Sequence, residues 1–238
     1  MAKLWWISIL IAVLVCVAPP CAALTIGRAL ENPVHLADVG DAPLVYLSYS
    51  SDLEEVMAAY TEYDAYAKGY GGFVVRYGGE KDETILSAVV VKEIDDLDLG
   101  VGIHWITGSE PAWLMDLGGA HHIGPVGVHL GIHDVPFSRW KDITEESYFS
   151  AGASFDLSEA ITVGIDTRFL EEPLYKGYGL FSLRPDLRAQ VYALYQGSDW
   201  DAVGVDAWLS RGALLFHAGY KMNWDRESYF CMGIGFGL

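Results

Sequence analysis

Large apolar side chains alternate with small or polar ones along most of the chain, with a period of two residues. In residues 228–238, every even-numbered position from 230 onward is large and apolar, and every odd-numbered position from 231 onward is Cys or Gly. Similar alternation covers residues 97–105, 126–133, 161–169 and 214–222. Because successive side chains of a strand point to opposite faces, this period predicts strands with one apolar face and one polar or bare face.

Fourteen segments follow this pattern, and an even number of strands returns both ends of a membrane barrel to one side. The least regular are residues 53–63 and 111–119, so twelve strands is the alternative count. The predicted strands are 43–50, 53–63, 69–78, 83–93, 96–107, 111–119, 124–133, 147–157, 159–170, 177–185, 186–196, 199–209, 212–222 and 228–238.

Strand length and the character of the polar face favour an all-β fold, a transmembrane antiparallel up-and-down β-barrel, over a soluble sandwich. The segments run about 9–11 residues, the length that a tilted strand needs to cross a bilayer. Their polar faces carry Gly, His, Asp and Arg, which is typical of a barrel interior. Tight connections alternate with longer, charged ones such as residues 134–146 and 223–227. Aromatic residues at the predicted strand ends suggest interfacial girdles: Tyr60, Tyr63, Tyr66, Tyr70, Tyr77, Trp105, Trp113, Trp140 and Trp200.

The N-terminus has the pattern of an export signal. Lys3 precedes an apolar run over residues 4–17, and small residues at 21–23 predict cleavage after Ala23. An uncleaved anchor is the alternative, although the run is short for a membrane span. Cleavage would remove Cys16 and Cys21 and leave Cys231 without an internal disulfide partner. We therefore divide the chain into a signal peptide (1–23), an N-terminal segment that could plug the lumen (24–42) and a barrel (43–238).

Charge narrows the choice of partners. The formal net charge of −17 argues against nucleic acid and anionic headgroups as ligands. After the signal no apolar run is long enough for a transmembrane helix.

The polar faces supply the candidate functional residues. Histidine can bind metals or transfer protons, but His129 and His133 would lie about 13 Å apart along one strand, too far to share an ion. Pairing between strands could bring other histidines together, but we predict no metal site and no cofactor. No nucleophile motif is present, so we predict no catalytic residue. Acid–base pairs that fill the lumen and a cation-biased ion path remain the two interpretations of the charged residues. The lumen-facing candidates are Asp98, His104, His129, His133, Asp166, Arg168, Arg184, Arg188, Gln190, Asp206, His217 and Lys221. Inward glycines would keep the lumen open.

The C-terminal strand resembles the signal that the bacterial barrel-assembly machinery reads, with Gly233, Phe236 and Leu238 in the matching positions. Four stretches resemble, in their order of apolar and polar residues, the superfamily of fourteen-stranded outer-membrane barrels that contains the FadL-type long-chain fatty-acid transporters and the PorV-like proteins. These stretches are residues 60–77, 97–106, 115–118 with 126–132, and 150–165. The longer N-terminal hatch of that family has no match here. The resemblance implies outer-membrane lipid and the assembly machinery as partners, and small or hydrophobic solutes as cargo.

Three functions therefore remain open. The first is porin-like or hydrophobic-solute passage through an outer-membrane barrel. The second is a structural or interaction barrel that partners other envelope proteins without transport. The third is a barrel enzyme.

Overall fold

Fourteen antiparallel strands close into one barrel, each paired with its sequence neighbours and β1 paired with β14. The computed structural model describes residues 32–33, 35–36, 43–52, 54–78, 83–107, 111–136, 147–197, 199–225 and 227–237. The strands are β1 (Leu44–Ser50), β2 (Glu55–Asp64), β3 (Gly69–Gly78), β4 (Glu83–Ile94), β5 (Leu97–Thr107), β6 (Ala112–Ile123), β7 (Val126–Pro136), β8 (Tyr148–Ser158), β9 (Ile161–Phe169), β10 (Leu174–Arg184), β11 (Leu187–Gln196), β12 (Asp199–Arg211), β13 (Leu214–Asn223) and β14 (Ser228–Gly237).

The predicted barrel is confirmed, and every predicted strand boundary lies within four residues of the observed one. The two least regular segments both form strands, β2 and β6, so the alternative count of twelve is wrong. The predicted signal peptide and Leu238 lie outside the described residues.

The alternating pattern sets the two faces of the barrel. In β5, Leu99, Val101 and Ile103 are exposed on the outer face, whereas Gly102 and His104 are buried on the inner one. The outer face is apolar around the barrel because the large residues of β7, β9, β12 and β14 follow the same rule. Among the described residues, no helix is long and apolar enough to span a bilayer.

The inner face is not uniformly polar. Inward residues of β1–β4 form a buried apolar cluster with one residue each of β12 and β13, and we call this cluster the apolar wall. Its members on the strands are Leu44, Tyr46, Met57, Ala59, Tyr70, Val74, Val89, Val91, Trp208 and Leu215.

The two ends of the barrel differ in their connections. Tight turns at residues 95–96, 124–125, 159–160, 185–186 and 212–213 share one end, the turn end, with the start of β1 and the end of β14. The end of β7, the start of β8 and residues 51–52 and 170–173 lie at the opposite end, the loop end.

Exposed aromatic side chains gather on the outer face at the loop end. Trp105 stacks on Trp113 with centroids 5.6 Å apart, and Tyr195 contacts Trp200 edge-on at 5.7 Å. Tyr77 is exposed at the same end. Tyr63 and Tyr70 were predicted to belong to a girdle, and this is wrong: Tyr70 is buried in the apolar wall and Tyr63 packs against it. Trp140 lies outside the described residues.

Candidate functional site in the barrel lumen

Part of the N-terminal segment lies inside the barrel. Asn32 and Leu36 are buried, and Asn32 Nδ2 donates a hydrogen bond to the Leu130 carbonyl oxygen at 3.3 Å on β7. The His35 ring meets the His129 ring edge-on with centroids 4.7 Å apart. Leu36 joins the apolar wall beside Gly72 on β3. The described part of the segment thus contacts both β7 and β3, which are four strands apart in the barrel.

A buried network surrounds Asp116 on β6. One carboxylate oxygen, Oδ2, lies 3.0 Å from His104 Nε2 and 3.5 Å from His133 Nδ1. The other, Oδ1, accepts a hydrogen bond from the Asp134 backbone N–H at 2.8 Å. The β6–β7 register shifts at this point, and Asp134 adopts a left-handed φ of 56°. This bulge places two residues of β7 opposite Asp116, so His133 and the Asp134 amide both reach it.

Serine hydroxyls complete the network at its outer ends. Ser87 Oγ lies 2.9 Å from His104 Nδ1, and Ser150 Oγ lies 2.7 Å from His133 Nε2. The order Ser–His–Asp resembles that of a hydrolytic triad. However, Ser87, His104 and Asp116 are 2%, 4% and 3% exposed, which leaves no room for a substrate at the hydroxyl. The arrangement gives both oxygens of the Asp116 carboxylate a hydrogen-bond partner, as an enclosed carboxylate requires.

Two further histidine–carboxylate pairs line the lumen. His129 Nε2 lies 3.3 Å from Asp166 Oδ1 on β9. His217 Nε2 lies 3.2 Å from Asp206 Oδ1 on β12, and Cys231 Sγ on β14 lies 3.6 Å from the same oxygen.

A charged cavity of about 400 Å³ occupies the lumen against β9–β13. Four carboxylates and three cationic groups line it together with three less polar side chains. Lys221 Nζ forms an ion pair with Asp52 at 2.8 Å, and Lys176 Nζ lies 5.2 Å from the Tyr192 ring centroid. The lining residues are Asp52, Asp166, Arg168, Leu174, Lys176, Tyr192, Leu194, Asp201, Asp206 and Lys221.

The remaining predicted residues lie in several places. Gln190 is buried opposite Asp206, and Arg188 pairs in register with Trp208. Asp98 is half-buried near the turn 95–96. Arg184 lies at the turn end instead, exposed and paired with Asp186 at 3.1 Å, because the β10–β11 register shifts just before it. Gly233 faces Tyr46 inside the barrel, and Phe236 is buried near the end of β14.

The expectation that inward glycines keep the lumen open is wrong at several positions. A Cβ on Gly164 would overlap the Tyr178 ring, and one on Gly204 would overlap the Tyr192 ring. At each position, the ring of a tyrosine on the neighbouring strand occupies the space that a side chain would need. These glycines therefore help to fill the wall.

Sequence reasoning missed several inward residues, including Ser87 and Asp116. Asp116 follows an outward Met115 in the segment with the weakest alternation, and its bulge partner disturbs the period. Ser87 and Tyr46 lie in strands that are largely apolar on both faces, so polarity did not mark them as inward. The strand register would have revealed them, since Ser87 is directly opposite His104.

Known structures share the architecture. Two mutants of the Rh. blastica porin align with TM-scores of 0.51 and 0.50 at 10% identity, covering 82% of this chain and 98% of theirs. The KdgM porin aligns with a TM-score of 0.48 at 8% identity, covering 83% of this chain and 99% of its own. No protein-family model matches the sequence, and no curated protein does. The porin likeness shows the fold: a closed, porin-type β-barrel.

Proposed function

We propose that this chain is an outer-membrane barrel of the porin type that admits small polar solutes from its loop end and has no enzymatic activity. The observation that carries the proposal is the charged cavity inside a closed barrel with an apolar outer face. A barrel with no free strand edge satisfies its backbone hydrogen bonds internally, as a bilayer demands.

The exposed aromatic side chains on the outer face at the loop end support a membrane location. Tyr and Trp prefer the boundary between hydrocarbon and water, because their rings are apolar and their tips are polar. Trp105, Trp113 and Trp200 are exposed near the loop ends of β5, β6 and β12, which matches that preference. The predicted export signal is consistent with the outer membrane.

The lining of the cavity favours polar over hydrophobic cargo. Seven of its ten lining residues are charged, four of them acidic and three basic. A fatty acyl chain would desolvate these groups without compensation. The hydrophobic solutes that the FadL-type resemblance implies are therefore less well supported than small ions or polar metabolites.

The absence of an enzymatic role is part of the proposal. The described residues hold two Ser–His–Asp orders. In Ser150–His133–Asp116, the His133 Nδ1 atom makes no hydrogen bond to the carboxylate, which lies 3.5 Å away. The other, Ser87–His104–Asp116, is enclosed on all sides. Its polar atoms are occupied by one another and by the Asp134 amide.

A second candidate, an interaction barrel without throughput, is favoured by the N-terminal segment. Asn32 contacts β7 and Leu36 packs against β3, and a segment held inside the barrel in that way would obstruct the lumen. We propose that residues 24–42 act as a plug.

Single-channel conductance in planar bilayers separates the two candidates. We would compare the wild type with a deletion of residues 25–40 and with an Asn32→Ala, Leu36→Ala double variant. Leu117→Ala, a change on the exposed outer face, serves as the control and should match the wild type. Each variant would first be shown to be folded by its gel mobility.

A plugged pore predicts low conductance in the wild type, a severalfold rise on deletion and a smaller rise in the double variant. Equal, non-zero conductance in all proteins would contradict the plug and leave the porin function standing. Silence of both the wild type and the deletion would contradict passage and support the interaction barrel.

A further inference from the structure

Side chains from three adjacent strands converge in front of Gly219 on the lumen wall. Asp206 on β12 and Cys231 on β14 are both in register with Gly219 on β13, and His217 stands two residues earlier on that strand. A Cβ at position 219 would overlap both Asp206 Oδ1 and Cys231 Sγ. The glycine therefore creates the space in which the carboxylate, the imidazole and the thiol meet.

The spacing of the three donor atoms suits a tetrahedral metal ion. His217 Nε2 lies 3.2 Å from Asp206 Oδ1, Cys231 Sγ lies 3.6 Å from that oxygen, and Sγ lies 3.8 Å from Nε2. Zinc bond lengths with tetrahedral angles require about 3.4 Å between N and O and roughly 3.6 Å between sulfur and either atom. Shifts of a few tenths of an ångström would be sufficient to bind the ion.

Neighbouring residues hold the histidine in the orientation that a ligand needs. Tyr46 Oη lies 2.9 Å from His217 Nδ1, so the ring can donate there and present the Nε2 lone pair to the cluster. The Trp208 ring stacks on His217 with centroids 5.1 Å apart and planes 2° from parallel. Such outer contacts fix the tautomer and direction of metal-binding histidines.

We propose that Asp206, His217 and Cys231 bind a divalent cation of the zinc class. Binding would release the thiol proton to solvent and leave the thiolate, the neutral imidazole and the carboxylate as ligands. Three protein ligands leave one tetrahedral position for water or a solute, which makes the site exchangeable and unlike a closed structural one. Asp206 also lines the charged cavity, which gives an ion a path to the site.

The site cannot be recognised from the sequence because its proposed ligands lie on three different strands. Cys231 is fourteen residues from His217 and twenty-five from Asp206, so no short motif joins them. The strand register brings them together. Metal binding at this position does not depend on whether solutes pass through the barrel.

Cobalt binding to the full-length, detergent-folded protein tests the proposal. Co²⁺ bound to a thiolate gives a sulfur-to-metal charge-transfer band in the near ultraviolet, and Zn²⁺ should displace it. We expect one Co²⁺ per chain with this band. Cys231→Ser should abolish the band, and His217→Gln or Asp206→Asn should weaken binding at least tenfold. Tyr46→Phe should weaken it by roughly 10–100-fold, as other outer contacts do.

His129→Gln is the matched control, because His129 also faces a lumen carboxylate, Asp166, but has no sulfur beside it. It should bind Co²⁺ like the wild type. Absence of the band in the wild type, or equal loss in His129→Gln and His217→Gln, would overturn the proposal.

A second measurement uses only the wild-type protein, so its result does not depend on whether a substituted variant folds. In the wild type, excess Zn²⁺ should slow alkylation of Cys231 at least tenfold, read by mass spectrometry of the peptide that contains it. Unchanged alkylation under saturating Zn²⁺ would contradict the site.

Discussion

Two regions of the lumen wall differ in the chemistry of their inward-facing side chains. The apolar wall, mostly on β1–β4, buries Leu44, Val91 and Leu215 almost completely. Toward the loop ends of β9–β13, inward positions carry Asp166, Lys176 and other charged groups around an open cavity. Both sides obey the same alternation of inward and outward residues. The period of the pattern therefore sets which way a side chain faces, while the filling of the lumen decides which residue types are tolerated there.

The N-terminal segment contributes to the difference. Leu36 packs on the apolar wall, so that wall faces protein as the core of a soluble domain does. The charged side faces a cavity, where acidic and basic groups can keep water and pair with each other.

The largest effect on stability is expected when leucine is replaced by aspartate in each of the two regions. Leu215→Asp places a charge in the apolar wall, and an uncompensated buried charge costs roughly 3–5 kcal/mol. Leu194→Asp places it at the cavity, where water and Lys176 are near. Urea unfolding followed by gel mobility should show a large loss for the first variant and little change for the second. Equal losses would mean that the two sides do not differ.

A smaller effect is expected from a methyl group added under a tyrosine. Gly164→Ala would overlap the Tyr178 ring and should destabilise the barrel by about 1–3 kcal/mol, the usual cost of overpacking. Gly177→Ala, where no atom stands within 4 Å, should be close to neutral.

The Gly164→Ala cost should disappear in a Tyr178→Ala background, because the clashing ring is then absent. Persistence of the cost there would show that the glycine matters for another reason.

The smallest effect concerns charge selectivity. Lys176→Gln removes one of the three cationic groups of the cavity and should raise the cation-to-anion permeability ratio by a few fold, since the acidic groups then dominate. The reversal potential in a salt gradient measures this ratio. Lys92→Gln, which removes an exposed charge on β4 away from the cavity, is the control. A shift as large in the control would assign selectivity to net charge and not to the cavity.

Most of the fold could be predicted from the sequence because the barrel imposes one simple period. That period holds on β5, β9 and β14, where one face is bare or polar. It is weaker on β2, where Met57 and Ala59 face inward and Val56 and Ala58 outward, and the predicted strand began two residues early. The end of β6 was placed four residues too soon for a similar reason: His121 and His122 look like a turn but continue the strand.

The lumen could be predicted only in part. A rule that polar residues face inward identified the four histidines His104, His129, His133 and His217 on the lumen side. It could not identify Tyr46 or Trp208, because inward aromatic residues look like outward ones in a sequence. It also could not supply the partners across strands, since these depend on register and on the bulge at Asp134.

Fractionation combined with gel mobility tests whether this chain forms a closed barrel in the outer membrane. Outer membranes would be extracted in detergent, and boiled and unboiled samples compared. We expect a membrane-bound band whose mobility shifts on boiling, because a closed barrel resists detergent until heated. A soluble periplasmic band with no shift would contradict a closed barrel in the membrane.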